Sequence, residues 1–150
     1  ISMQHEVQDG LGTRRNASSW ELGTGLSHIL ENGNRLSFNV AALQSKSADA
    51  DLDYQKISAN LQLTLARPVL GGVQLSFGLG AAEKINDVSR YTVAGRHDSE
   101  VWAGATAVFS KIEYYGFVPS LSLRARRTSS NIGLFDSEEY GFHLGFQSAF

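Results

Sequence analysis

Apolar and polar residues alternate with a period of two along most of this chain. In the stretch "EEYGFHLGFQ" (Glu138–Gln147), aromatic residues or leucine occupy every second position, and mostly glycine or polar residues lie between them. Successive side chains of a β-strand point to opposite faces, whereas a helix would repeat every 3.6 residues. The pattern therefore predicts an all-β fold whose strands have one apolar and one polar face.

Seven stretches rich in Gly, Asn, Asp and Ser interrupt the alternation and read as turns or loops. They are Asp9–Ser18, Glu31–Asn34, Ser45–Asp53, Arg67–Gly72, Ile85–Glu100, Glu113–Gly116 and Thr128–Glu139. Seven connections predict eight strands, within a single domain spanning residues 1–150. Turn centres lie about 17 to 23 residues apart, whereas soluble sandwiches turn about every 8 to 12 residues, so these strands are too long for an ordinary sandwich.

Such strands could form a half-buried sheet in water, with the apolar face inward. Two features favour the opposite arrangement, an antiparallel up-and-down transmembrane β-barrel whose apolar face meets lipid. Short connections alternate with long ones, as periplasmic turns alternate with extracellular loops, which places both termini in the periplasm. Aromatic residues also collect near predicted strand ends, where interfacial girdles lie. These are Trp20, Tyr91, Trp102, Tyr114, Tyr115, Tyr140 and Phe150.

The predicted polar face consists mainly of Gly, Ser, Thr and Asn. An eight-stranded barrel must fill its interior with side chains, and such small residues would leave it underpacked. The composition therefore favours a wider barrel of which these strands are a part. The stretch "VWAGATAVFS" (Val101–Ser110) leaves its orientation open, because Trp102 and Val108 lie opposite Val101 and Phe109.

Composition excludes several functional classes. The chain has no cysteine, so it has neither disulfides nor thiolate chemistry. A net charge of −2 offers no basic footprint for nucleic acid. We predict no metal site, because the four histidines are widely separated and the acidic stretch Asp49–Asp53 lacks the glycine and the distal glutamate of a calcium loop. We predict no cofactor, and no catalytic residue.

The segment Tyr114–Phe150 resembles the closing strands of the surface lipoprotein assembly modifier family. The match is carried by Gly116, Pro119, Ser130, Asn131 and Phe150, together with an arginine-rich strand end. The resemblance implies an outer-membrane barrel of a Gram-negative bacterium, with about fourteen strands in the whole protein. It further implies a role in translocation or surface display of lipoproteins, with surface lipoproteins and outer-membrane lipid as partners.

The last strand also resembles the barrel-assembly signal of outer-membrane proteins. Tyr140, Phe142, Gly145, Phe146 and Phe150 fit that signal, which implies the barrel-assembly machinery as a further partner. Ser148 and Leu144 depart from it, since an apolar and a polar residue respectively are more usual there.

Three polar residues are candidates for lining the lumen, namely Arg124, Arg126 and His143. The two arginines, with Arg127 at the start of the following loop, could line a substrate path or pair with Glu138 and Glu139. Two other functions are left open by the sequence: a small passive porin-like barrel, and an outer-membrane barrel enzyme that hydrolyses lipid or peptide.

Overall fold

The structure, a computed structural model, describes residues 2–6 and 17–148, which form one antiparallel sheet. Its strands are β1 (Ser2–Glu6), β2 (Ala17–Ile29), β3 (Arg35–Ser47), β4 (Tyr54–Thr64), β5 (Val73–Asn86), β6 (Arg96–Phe109), β7 (Phe117–Ser130) and β8 (Ser137–Ser148). Each strand pairs with the next along the chain, so the sheet is a simple meander. The predicted all-β, antiparallel, up-and-down arrangement is confirmed.

Helical structure in the described part of the chain is limited to two short 3-10 turns, Ala50–Leu52 and Gly133–Phe135. No helix there is long and apolar enough to cross a membrane.

The sheet is open. Within the described residues, β8 pairs with β7 alone and no ladder joins it to β1. The outer backbone edge of β8, twelve residues long, therefore has no neighbouring strand there. Closure into a barrel stays a prediction.

The connections differ from those expected. Three lie at one end of the sheet, residues 30–34, 65–72 and 110–116, which we call the turn end; 48–53, 87–95 and 131–136 lie at the other, which we call the clasped end. The predicted contrast between short and long connections is wrong here, because β5, β6 and β7 extend into stretches read as loops. Ladder hydrogen bonds join backbone groups, so polar residues continue a strand beyond its apolar part.

The apolar face is exposed. Phe142 is 74% exposed, Leu26 78% and Leu79 56%, and no second layer of the described structure covers them. Among described residues, Ala82 and Val118 are the buried hydrophobic side chains. The fold therefore has almost no hydrophobic core of the kind that stabilises a water-soluble protein.

The buried side chains of the described residues lie on the polar face. Besides Ala82 and Val118, the buried side chains of the described residues are Ser45, Asn86, Asp98 and Ser120. All six lie on the polar face by strand register. Side chains of strands that are not neighbours also meet there, since Lys56 Nζ of β4 lies 3.9 Å from Glu100 Oε2 of β6, across β5. This face is therefore the concave inside of the sheet.

Candidate functional site

A groove of about 320 Å³ crosses the polar face at mid-strand height. It runs from β3 to β7, and we call it the central groove. Its side chains on this face are Asn39, Asn60, Gln62, Ser76, Trp102, Thr106, Ser122 and Arg124, with Gly78 and Gly104 between them. Arg124 is the only charged residue lining it. The groove is thus a neutral polar surface with a single positive charge.

Trp102 lies flat on the floor of this groove. A Cβ atom placed on Gly78 would come 3.0 Å from Cη2 of the indole, and one on Gly80 would overlap both the indole and the Asn60 amide. The two glycines of β5 therefore provide the space in which the indole of β6 lies. The undecided orientation of β6 is settled: Trp102 faces inward, and its neighbours Val101 and Ala103 face outward.

Substituting Gly80 with alanine is expected to displace this indole. The added methyl has no free space, so we expect a loss of about 1 to 3 kcal/mol in unfolding free energy and a shifted tryptophan emission maximum. The measurement is fluorescence in a Trp20→Phe background, which leaves Trp102 as the only tryptophan. Gly141→Ala is the control, because a Cβ there meets nothing within 4 Å. Unchanged Trp102 emission in the Gly80 variant would contradict this packing.

Arg124 and Arg126, both predicted to line the lumen, have different surroundings in the structure. Arg126 Nε lies 3.4 Å from Glu100 Oε1, and Arg126 Nη1 lies 3.9 Å from Glu139 Oε2. The Nε–H is not aligned for a hydrogen bond, so the contact with Glu100 is ionic. Arg124, by contrast, is exposed, and its guanidinium carbon lies 4.8 Å from the Trp102 ring centroid. Within residues 17–148, no carboxylate forms an ion pair with Arg124.

Charged side chains crowd the polar face between the central groove and the clasped end. Arg96 donates to Asp98 Oδ1 at 2.9 Å and also to Oδ2, and Asp98 is only 5% exposed. The Arg96 guanidinium also lies 3.6 Å from the centroid of the Phe135 ring, which belongs to the connection 131–136. Lys84 lies 4.3 Å from the centroid of Tyr54. In this region cations lie beside carboxylates, Arg96 beside Asp98 and Lys56 beside Glu100, whereas no carboxylate lines the groove.

Connections at the clasped end are tied together. Arg90 donates to Asp49 Oδ2 at 2.6 Å and to Asp51, which joins two of the connections. The hydrogen bond to the Asp51 carboxylate, and then the negative charge of Asp49, raise the pKa of Arg90 above its ordinary value. Tyr91 stacks edge-on against Phe135, with ring centroids 5.6 Å apart. A cavity of about 450 Å³ lies between these residues.

Four of the five residues that carry the family resemblance lie in connections or near the ends of β7. Gly116 has a φ of 80° in the connection 110–116, a conformation that glycine adopts without strain. Pro119 faces outward on β7 opposite Phe146. Asn131 accepts from the backbone N–H of His97 at 2.9 Å and donates to the Gly95 carbonyl at 3.1 Å, so its side chain fastens two connections. Ser130 ends β7.

Four of the five assembly-signal residues lie along β8. Tyr140, Phe142 and Phe146 are between 74% and 80% exposed on the apolar face. Gly145 lies on the polar face, close to the His143 imidazole, and His143 faces Ser122. Phe150 lies outside the described residues.

One predicted position is wrong. Trp102 is at the middle of β6 on the polar face, so it does not belong to an aromatic band at a strand end. Sequence reasoning also missed Glu100, Arg96 and Asn60. A signal was present for Trp102, because Gly78 and Gly80 are two positions apart on the neighbouring strand and leave room for a large side chain.

Comparisons of the chain with protein-family models, with curated proteins and with solved structures found no match. In the residues that the structure describes, no three His, Asp or Glu side chains come together as metal ligands would.

Proposed function

We propose that this chain forms part of the wall of a β-barrel in the outer membrane of a Gram-negative bacterium. The observation that carries the proposal is the distribution of burial: among the described residues all six buried side chains lie on the polar face, while most of the large apolar side chains on the other face are exposed. In water this arrangement would expose apolar surface at a cost of about 25 cal/mol for each Å². In a bilayer the same surface faces hydrocarbon and the polar face lines an aqueous interior.

Strand length is consistent with this location. Strands β2 to β8 contain 11 to 14 residues each. At about 3.3 Å for each residue they extend about 36 to 46 Å. A strand tilted by about 45° crosses the hydrocarbon with about 9 to 11 residues, so each of these strands is long enough to span it.

The unpaired outer edge of β8 bears on how the proposed barrel closes. Unpaired backbone groups in hydrocarbon cost several kcal/mol each, so a sheet in the membrane must close. We propose that further strands close it, giving the wider barrel that the resemblance implies. Such a barrel also accommodates the small residues of the polar face, which would underfill a narrow one.

Cysteine labelling tests the membrane location directly, because the chain contains no native cysteine. Single cysteines would be placed at Gly141, Phe142, His143 and Leu144 of β8 and labelled in intact membranes. A membrane-restricted reagent should label Phe142→Cys and Leu144→Cys, and a water-soluble maleimide should label Gly141→Cys and His143→Cys. If the water-soluble reagent labels all four positions alike, the apolar face is in water and the proposal is wrong.

For the whole protein we propose assistance in the translocation or surface display of lipoproteins. Its support is the resemblance of Tyr114–Phe150, joined to a concave polar face that leaves space for a passing chain. This proposed role requires no covalent bond to be made or broken. Deleting the gene and treating intact cells with protease should leave a surface lipoprotein protected while its total amount stays constant. If every surface lipoprotein is digested as before, the translocation role is excluded, although the barrel proposal survives.

A passive pore is the second candidate, and the central groove favours it. Neutral amides and hydroxyls around one cation suit the passage of small polar solutes. A pore would conduct ions in planar bilayers and leave lipoprotein display unchanged on deletion.

A further inference from the structure

Arg124 combines depth in the sheet with the lack of an anionic partner in the described structure. It is the eighth of fourteen residues in β7, so it lies at the middle of the proposed membrane span. Charged side chains at that depth are costly, face the protein interior and usually mark a path for ions or substrate. The neighbouring Arg126 has two carboxylates nearby, whereas Arg124 has an aromatic ring.

The surroundings leave this charge uncompensated. Glu100, two residues from Trp102 on the same face of β6, is already contacted by Arg126 and Lys56. All the other residues lining the central groove are neutral. The groove therefore has a net positive charge that no carboxylate lining it offsets.

The geometry also leaves room for a ligand. Arg124 faces Gly141 on β8, which has no side chain. A Cβ on Gly141 would meet nothing within 4 Å. A guanidinium that contacts an aromatic ring can keep N–H donors free to pair with an oxyanion.

We infer that Arg124 and Trp102 form a binding site for an oxyanion, a carboxylate or a phosphate, on the polar face. We call it the oxyanion site. Trp102 orients the guanidinium, and the amide and hydroxyl groups of Asn60, Thr106 and Ser122 provide further hydrogen-bonding capacity in the groove. The oxyanion site rests on the proposed function, because in that barrel a passing anion would reach Arg124 halfway across the membrane. Binding itself does not require transport.

Fluorescence tests the binding step without a functioning pore. The full-length protein in detergent would carry Trp20→Phe, together with phenylalanine at any tryptophan outside residues 1–150, so that the tryptophan emission comes from Trp102. Titration with inorganic phosphate at constant ionic strength should give a saturable emission change. Arg124→Gln should weaken that response about tenfold or abolish it, as expected for loss of a charge-assisted contact. Arg127→Gln, on the opposite face of the same strand, should leave it unchanged.

Acetate and a short glutamate-rich peptide, titrated in the same way, distinguish the source of the oxyanion. Phosphate or acetate binding without peptide binding indicates free solute anions, and peptide binding indicates carboxylates of a passing chain. If none of the three ligands gives a saturable change in Trp102 emission, or if Arg124→Gln and Arg127→Gln respond alike, the oxyanion site is excluded.

Planar-bilayer recordings separate this inference from the proposed function. If the wild-type protein conducts, Arg124→Gln should lower its anion-to-cation permeability ratio and Arg127→Gln should not. An unchanged permeability ratio in Arg124→Gln would show that the oxyanion site has no role in the passage of anions through the barrel. Failure of Phe142→Cys and Leu144→Cys to label from the membrane would overturn the barrel, whereas the fluorescence result would still decide the binding.

Discussion

Replacing Phe142 with arginine is expected to prevent recovery of folded protein from the outer membrane. Phe142 lies at the middle of β8 and is 74% exposed on the apolar face. An arginine facing lipid at the bilayer midplane costs about 2 to 4 kcal/mol, a large fraction of the stability of a typical domain. The measurement is the amount of protein in the outer-membrane fraction that migrates differently on a gel before and after heating.

The adjacent residue gives a matched control. His143 is on the opposite face of the same strand and faces Ser122, so His143→Arg places the same charge on the polar face, which lines the interior of the proposed barrel. We expect this variant to accumulate near the wild-type amount. If Phe142→Arg accumulates equally well, its side chain does not face hydrocarbon and the membrane assignment is wrong.

Replacing Arg126 with methionine is expected to reduce the unfolding free energy by about 1 to 3 kcal/mol. The change removes the contacts with Glu100 and Glu139. Glu100, whose side chain is 21% exposed, would be left facing Lys56 at 3.9 Å without its closer partner. Urea unfolding in detergent micelles would measure the loss.

Two further variants identify the cause of that loss. Adding Glu100→Gln to Arg126→Met should recover part of the stability, because the unpaired carboxylate is removed. Arg127→Met should change stability by less than about 0.5 kcal/mol, since Arg127 and Glu138 are 68% and 55% exposed, and exposed pairs contribute little. Equal losses in Arg126→Met and Arg127→Met would show that burial of the Glu100 pair has no special effect.

The strands and their faces were predictable because alternation is a local property of the sequence. The apolar positions of β8, at Tyr140, Phe142 and Phe146, are those that the structure exposes on one face. Strand ends were less predictable, because β6 begins at Arg96, within a stretch whose polar residues resemble a loop. Backbone ladders continue there independently of side-chain polarity.

The partners of charged residues depend on register between strands, which the sequence does not reveal. The sequence makes Arg124, Arg126 and Arg127 candidates for pairing with Glu138 and Glu139 without deciding which residues pair. In the structure Arg126 lies 3.9 Å from Glu139 and Arg127 lies 3.7 Å from Glu138, whereas Arg124 pairs with neither. Shifting a ladder by one residue would move a side chain to the other face. The central groove could not be located from the sequence for the same reason, because it requires five strands in one register.

The outer edge of β8 has a consequence for biogenesis. A long strand edge bordered by exposed aromatic side chains is a template on which strands of other molecules can add, and soluble proteins avoid such edges. In water this edge and the adjoining apolar face would promote aggregation. On the proposed membrane location, the chain must be kept from aggregating by a chaperone until it is inserted, so its yield in the cell should depend more on the supply of holdase than on its own folding equilibrium.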